Sequence, residues 1–137
     1  MSQVQGGNAN KCILAVDDTA IVLTRISEVL RNYYEVITVN SGNRAIKCLK
    51  ERKPDLILLD IQMASMDGIQ TLQKIRTMKG MEDIPVIMLT GVEDKEIVME
   101  SAKLGICDYV LKPFSSDELL KRIRRAFDLE RQKQEET

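Results

Sequence analysis

The sequence predicts one α/β domain with a doubly wound parallel sheet, and three observations carry that prediction. Residues 12–16, 55–60 and 84–90 are apolar runs typical of strands buried on both faces. Segments with apolar residues at helical spacing separate them. The length, 137 residues, suits one domain that buries a core without disulfides. Five strands alternating with five helices predict a parallel sheet of order 2-1-3-4-5.

The first elements follow from local patterns. Residues 1–10 have no periodicity and are expected to form a disordered leader. The run at 12–16 is the first strand, and residues 19–32 form an amphipathic helix. Residues 34–39 mix polar and apolar side chains and fit an edge strand, after which Ser41 is expected to cap a short helix.

The middle of the chain supplies the central strands. The run at 55–60 ends abruptly in Asp60, and a helix is predicted to begin at Gly68 and to end near Gly80. The next run, at 84–90, has its proline near the start, where a strand tolerates one. Both runs are apolar enough to be central strands of the sheet.

The fourth helix is predicted at residues 94–104 and has a poor apolar face, which indicates a loosely held helix. Its predicted inward residues are Ile97, Val98, Ser101 and Ala102. A fifth strand follows at 106–111. Ser115 and Glu118 predict a capping box for the last helix.

The domain is expected to span residues 11–129. From 130 to 137 the chain has no apolar residue, and this charged tail is either fraying helix or the start of a linker. The capped last helix carries apolar residues at helical spacing, namely Leu119, Leu120, Ile123 and Phe127.

The amino-acid composition excludes several classes of function. With 20 Lys+Arg against 21 Asp+Glu, the net charge of −1 gives no overall field for nucleic acid or an anionic membrane, so neither partner is expected. There is no histidine, which removes the commonest general base and every Ser/His or Cys/His catalytic pair. The 3 cysteines are dispersed and suggest a reducing compartment, and no segment has the length of a membrane span. We therefore expect a cytoplasmic protein.

Carboxylates follow two strands that are neighbours in the predicted order. Asp17 and Asp18 end the first strand and Asp60 ends the third. Strands in a sheet lie about 4.8 Å apart, so we expect these carboxylates to converge and repel one another unless a cation intervenes. Oxygen ligands with room for water suit Mg²⁺, whereas the lack of nitrogen and sulfur ligands argues against zinc.

Two more polar residues end the fourth and fifth strands. Thr90 offers a hydroxyl and Lys112 a long-stemmed ammonium. With one divalent ion the charges of this site balance, so it can accept a phosphoryl group, for which Asp60 is the expected nucleophile. Singly, each residue has a plainer interpretation as a helix cap, a turn residue or a solvated lysine. Their joint occurrence at four strand ends favours a site.

This set resembles the receiver domain of two-component response regulators, the CheY-like family with the flavodoxin-like (βα)5 fold. The resemblance extends over residues 11–128 and rests on the acidic pair Asp17-Asp18, on Asp60 with Met63, Met66, Asp67 and Gly68, on Thr90-Gly91 and on Lys112-Pro113-Phe114. One departure is Ala64, where the family often has proline. Its absence is expected to loosen the loop.

The resemblance implies roles for individual residues. Asp60 is implied as the phosphoacceptor, Asp17, Asp18 and Asp60 as Mg²⁺ carboxylates, the Gln62 backbone carbonyl as a further metal ligand, and Thr90 and Lys112 as phosphoryl contacts. It also implies a cis peptide at Lys112-Pro113, a bond type for which cis costs little. A switch that couples Thr90 to Tyr109 is implied too, although Tyr109 is equally interpretable as a core aromatic residue with its hydroxyl at the surface.

The resemblance further implies a signalling domain that catalyses only its own phosphorylation and dephosphorylation. Its partners would be a sensor histidine kinase or histidine phosphotransfer protein and an output domain or downstream protein, which binds the face of residues 94–129. The last helix, with Arg122, Arg124 and Arg125, could form a homodimer, but such charged faces are more often solvated.

Other functions remain open at this point. The domain could bind a partner independently of phosphorylation. An aspartyl-phosphate hydrolase of the haloacid dehalogenase type needs a second carboxylate two residues after its nucleophile, and Gln62 at that position argues against it. A flavin-binding protein needs a Ser/Thr-rich phosphate loop after the first strand, where this chain has Asp17-Asp18.

Overall fold

The computed structural model describes residues 11–91 and 95–135, so the leader predicted for residues 1–10 lies outside the described residues. Its strands are β1 (Cys12–Val16), β2 (Glu35–Val39), β3 (Leu56–Asp60), β4 (Val86–Thr90) and β5 (Asp108–Leu111). Its helices are α1 (Ala20–Leu30), α2 (Gly42–Glu51), α3 (Gly68–Thr77), α4 (Lys95–Ala102) and α5 (Ser116–Glu135). All strand pairs are parallel and the order is β2-β1-β3-β4-β5, which confirms the predicted fold class.

The sheet separates two apolar layers. Every residue of β1, β3 and β4 is buried, as expected for strands covered on both faces. Because side chains alternate along a strand, Ile13 and Leu58 pack with α1 and α5, whereas Leu14 and Leu59 pack with α2 and α3. The apolar runs of the sequence therefore place these three strands, and the polar residues that end them, at the centre of the sheet.

The fourth helix differs from the prediction. Its predicted first residue, Asp94, lies outside the described residues, and the helix ends at Ala102. Ser101 is buried and Val98 packs against the core, but Ala102 is exposed, so the prediction that Ala102 faces inward was wrong. Successive helical residues are about 100° apart around the axis, and burying Ser101 turns its neighbour toward solvent.

Serine side chains cap the starts of α2 and α5. Ser41 accepts a hydrogen bond from the Arg44 backbone N–H at 3.1 Å, which confirms the predicted cap of α2. Ser115 accepts from the Glu118 N–H at 3.0 Å, but the Glu118 carboxylate accepts from Arg122 Nε at 2.8 Å. The backbone of Glu118 therefore takes part in the cap, whereas its carboxylate pairs with Arg122 one turn further along α5.

The last helix is longer than its apolar content suggests. It continues through Glu135, across the boundary predicted at residue 129, and its final turns carry the exposed ion pairs Arg131–Asp128 and Lys133–Glu130. The domain limits stay a prediction. Across residues 11–91 and 95–135, none of the helices combines the length and the apolar character needed to cross a membrane.

Candidate functional site

Three carboxylates meet at the carboxyl edge of the sheet. Asp17 and Asp18 follow β1 and Asp60 ends the adjacent β3, where Val16 is paired with Leu59. One oxygen from each carboxylate lies within 4.8 Å of the other two. Asp17 is 0% exposed and Asp60 4%, whereas Asp18 is exposed. The register of two central strands thus brings together the three acids singled out in the sequence.

Both oxygens of Asp17 have hydrogen-bond partners. Oδ1 accepts from the Thr19 backbone N–H at 2.9 Å and from the Thr19 hydroxyl at 2.8 Å. Oδ2 accepts from Lys112 Nζ at 2.6 Å. The plainer interpretation of Asp17 as a residue of the helix start is therefore right in part, because it anchors the turn before α1 and also belongs to the acidic cluster. Sequence reasoning missed Thr19, although Asp-x-Thr is a pattern typical of such turns.

Lys112 links the two buried acids. Its Nζ lies 2.6 Å from Asp17 Oδ2 and 3.1 Å from Asp60 Oδ1. The Lys112-Pro113 peptide is cis, as the resemblance implies. Burial opposes the charge of Lys112, but the hydrogen bond that its ammonium donates to Asp17 and the nearby negative charges outweigh this effect and raise the pKa of Lys112. The side chain is therefore an ammonium at neutral pH.

Asp60 is held in an environment that disfavours its charge. Burial and then the charge of Asp17 raise its pKa from 3.8 to about 6. Lys112 and the Gln62 backbone N–H, which donates to Asp60 Oδ1 at 3.3 Å, act in the opposite direction. Asp60 is therefore mostly ionised at pH 7, yet its carboxylate is less stabilised than one in water.

The loop after β3 packs closely around the acids. The Ala64 N–H donates to Asp18 Oδ2 at 3.1 Å, a bond that proline could not make because it has no N–H. The loop expected to be loosened at Ala64 is therefore tied to Asp18 there. Gly68 begins α3 directly against β3, and a Cβ at this position would lie 2.7 Å from the Ile61 Cα.

The proposed switch residues lie on β4 and β5. Thr90 is buried at the end of β4, where its hydroxyl donates to the Gly91 carbonyl at 3.2 Å. Tyr109 is 43% exposed, so the alternative interpretation of Tyr109 as a core aromatic residue was wrong. Thr90 is paired with Leu111, the residue before Lys112, so β4 and β5 present Thr90 and Lys112 at the same edge as Asp60.

Comparison with known proteins gives the family. The family model described as "Response regulator receiver domain" matches residues 13–124, which is most of the chain. The chain belongs to this family. The receiver domain is 38% identical over 116 residues to the alkaline phosphatase synthesis transcriptional regulatory protein PhoP of Bacillus subtilis, covering 84% of this chain and 48% of that protein. It is also 38% identical over 115 residues to the transcriptional regulatory protein ZraR of Escherichia coli O157:H7, covering 83% and 26%.

Solved structures agree. The receiver domain superposes on the chemotaxis protein CheY4 of Vibrio cholerae with a TM-score of 0.82 and 29% identity, covering 86% of this chain and 99% of that one. The chain thus spans about half of PhoP and a quarter of ZraR, but nearly the whole of the CheY4 structure. The predicted family, fold and two-component signalling class are confirmed.

The donors of the acidic cluster fit a hard divalent cation. All three are carboxylate oxygens, and Mg²⁺ prefers oxygen ligands at 2.0–2.1 Å together with water. Adjacent ligands of an octahedral ion lie about 3 Å apart, so carboxylate oxygens within 4.8 Å need only a small inward movement. Because Lys112 holds Asp17 Oδ2, a cation that used this oxygen would compete with the ammonium.

Proposed function

We propose that this receiver domain accepts a phosphoryl group on Asp60 in a reaction that depends on Mg²⁺. One observation carries the proposal, namely a buried carboxylate that touches an ammonium and has two further carboxylates beside it at one edge of the sheet. An Asp60 oxygen attacks the phosphorus of the donor, and the donor's bond to phosphorus breaks. The leaving group departs with the electron pair of that bond, and the product is an acyl phosphate.

The neighbouring residues have distinct tasks in this proposal. Lys112 and the Thr90 hydroxyl stabilise the negative oxygens of the phosphoryl group. Asp17, Asp18, Asp60 and the Gln62 backbone carbonyl would hold Mg²⁺, which when bound neutralises charge on the phosphoryl group. A cleft of about 570 Å³ lined in part by Asp18 and Gln62 gives a donor access to this edge.

The phosphoryl donor we propose is a protein that carries a phosphohistidine. The 137 residues contain no histidine, so a phosphohistidine donor lies outside them, and we propose a sensor histidine kinase or a histidine phosphotransfer protein. Catalysis would be limited to the domain's own phosphorylation and dephosphorylation.

For the output we propose the face of residues 94–129. On it Met99, Tyr109 and Leu111 are exposed apolar residues that an output domain, a downstream protein or a second copy could contact. A cytoplasmic location is supported by three cysteines that are all free.

Intact-mass measurement tests the acceptor. The protein is incubated with Mg²⁺ and acetyl phosphate, and we expect one phosphoryl adduct that is absent without Mg²⁺ and absent in Asp60→Asn. Asp128→Asn is the matched control, because it removes an exposed carboxylate from α5 and should leave the adduct unchanged. An adduct that persists in Asp60→Asn would place the phosphoryl group on another residue and reject Asp60 as the acceptor. No adduct, in a folded protein that binds Mg²⁺, would favour the phosphorylation-independent binding module.

A second experiment tests the switch. When the phosphoryl group draws the Thr90 hydroxyl inward, the exposed Tyr109 ring is proposed to turn into the space released and to change the packing of α4. We expect phosphorylation of the wild type to change amide hydrogen exchange in α4 by about fivefold or more. Tyr109→Ala should lose this change while taking up the phosphoryl group normally, and Tyr109→Phe, which keeps the ring, should retain it. An unaltered exchange response in Tyr109→Ala would rule out the role.

A further inference from the structure

Arg25 of α1 contacts the loop that carries Lys112. Its polar surroundings in the sequence, with Glu28 and Arg31, suggest only a solvated helix face. In the structure Arg25 Nη2 donates to the Phe114 carbonyl at 3.0 Å, and the guanidinium carbon lies 5.7 Å from the centre of the Phe114 ring. One side chain therefore holds both the main chain and the ring of Phe114, across 89 residues of sequence.

The held segment is short and fixed at both ends. At one end the Lys112 N–H donates to the Thr90 carbonyl at 2.7 Å, which joins it to β4. At the other end Phe114 is buried in the layer between the sheet, α1 and α5. Since only Pro113 separates the two residues, a shift of Phe114 is transmitted directly to the backbone of Lys112.

The position of the Lys112 backbone matters because it determines which carboxylates the Lys112 ammonium can contact. The Lys112 ammonium lies 2.6 Å from Asp17 and 3.1 Å from Asp60, so it contacts both acids from a single position. Thr90 fixes one end of the three-residue segment, and Arg25 supplies a hydrogen bond at the other. Without Arg25, the Phe114 carbonyl can turn to water and the loop gains freedom.

We propose that Arg25 is a positioning residue for phosphoryl transfer, which clamps Lys112-Pro113-Phe114 so that the ammonium stays over Asp60. This inference rests on the proposed function, because it requires Lys112 to act on the phosphoryl group. A displacement of about 1 Å in a catalytic group can lower a rate by up to about 100-fold. Arg25 touches none of the reacting atoms, so its effect is exerted through Lys112.

Phosphorylation kinetics of the full chain test the clamp. We expect Arg25→Met to take up the phosphoryl group from acetyl phosphate about tenfold more slowly at saturating Mg²⁺, since the loss acts on alignment. Its Mg²⁺ dissociation constant, measured by calorimetry, should not rise, because the proposed metal ligands are unchanged and a displaced ammonium competes less for Asp17. Arg31→Met is the matched control, with the same charge change on an exposed residue that directly follows α1, and it should keep the wild-type rate.

The conservative variant separates alignment from stability. Arg25→Lys keeps a cation near the Phe114 ring and one possible donor, and it should recover part of the rate. Equal rates for Arg25→Met and Arg31→Met would overturn the proposal. So would a parallel fall of rate, Mg²⁺ affinity and melting temperature in Arg25→Met, because that pattern belongs to a purely structural contact.

Hydrogen exchange tests the clamp without any phosphorylation. The Lys112 amide hydrogen, which donates to Thr90, should exchange faster in Arg25→Met than in the wild type and should be unchanged in Arg31→Met. Unchanged exchange in Arg25→Met would overturn the clamp. A wild-type protein that takes up no phosphoryl group would instead reject the proposed function, so the two failures are distinguishable.

Discussion

The Asp60→Asn protein without metal is expected to be more stable than the wild type at pH 7, by up to about 3 kcal/mol. The reason is that the folded protein raises the pKa of Asp60 from 3.8 to about 6, and each unit corresponds to about 1.4 kcal/mol. Burial and the charge of Asp17 thus penalise the ionised carboxylate, and the neutral amide of asparagine avoids that penalty. Urea unfolding of both proteins in the presence of a chelator measures the difference.

The same pKa shift predicts how the difference depends on pH. Because the folded-state pKa lies above the unfolded value, the folded protein binds more protons between pH 3.8 and about 6. The stability contributed by Asp60 therefore falls as the pH rises through this window, and the full penalty applies above it. The two proteins should have nearly equal stability near pH 4 and should diverge toward pH 7. A constant difference across this range would contradict the shift.

Magnesium provides a second arm of this experiment. A cation among Asp17, Asp18 and Asp60 would relieve the repulsion that raises the pKa of Asp60, so Mg²⁺ should stabilise the wild type at pH 7. It should stabilise Asp60→Asn much less, since that variant lacks one carboxylate of the cluster. Asp18→Asn removes an exposed carboxylate and tests whether the gain needs the whole cluster. Equal stabilisation of all three proteins would show that Mg²⁺ acts elsewhere.

The fold was predictable because its central strands are determined locally. The runs at 12–16, 55–60 and 84–90 can be buried on both faces only in the middle of a parallel sheet, and the polar residues that end or follow them must then share an edge. The placement of Asp17, Asp18 and Asp60 followed from that single constraint. The inward face of α4 did not, because its sparse apolar residues fit more than one rotation about the helix axis.

The contacts that hold the site in shape were not predictable. Thr19 and the Ala64 N–H bind the acids through local backbone geometry, which apolar spacing does not encode. Arg25 reaches a carbonyl 89 residues away. Its long side chain could equally extend into solvent, so only the folded positions of α1 and the β5–α5 loop reveal its partner.

A second arginine, Arg76 near the end of α3, should have a large effect on stability. Its guanidinium donates to four backbone carbonyls, those of Leu104 at 2.8 Å, Met81 at 3.1 Å, Ile84 at 2.8 Å and Gly105 at 2.9 Å. These carbonyls lie in the α3–β4 connection and in the segment between α4 and β5. We expect Arg76→Met to lower the free energy of unfolding by about 3 kcal/mol, because the carbonyls lose charged donors in a partly buried place.

Lys74→Met is the matched control, since it removes one positive charge from an exposed position of the same helix and should cost under about 0.5 kcal/mol. Urea unfolding gives both values, and equal losses of stability would mean that water replaces the guanidinium.

The structural effect of Arg76→Met should be confined to the segments that Arg76 contacts. Gly105, whose carbonyl Arg76 holds, donates its own N–H to the Ala102 carbonyl in the turn after α4. Arg76→Met should therefore speed amide exchange at that end of α4. Arg76 contacts none of Asp17, Asp60 and Lys112 in the described hydrogen bonds, and phosphoryl uptake should therefore continue at the wild-type rate.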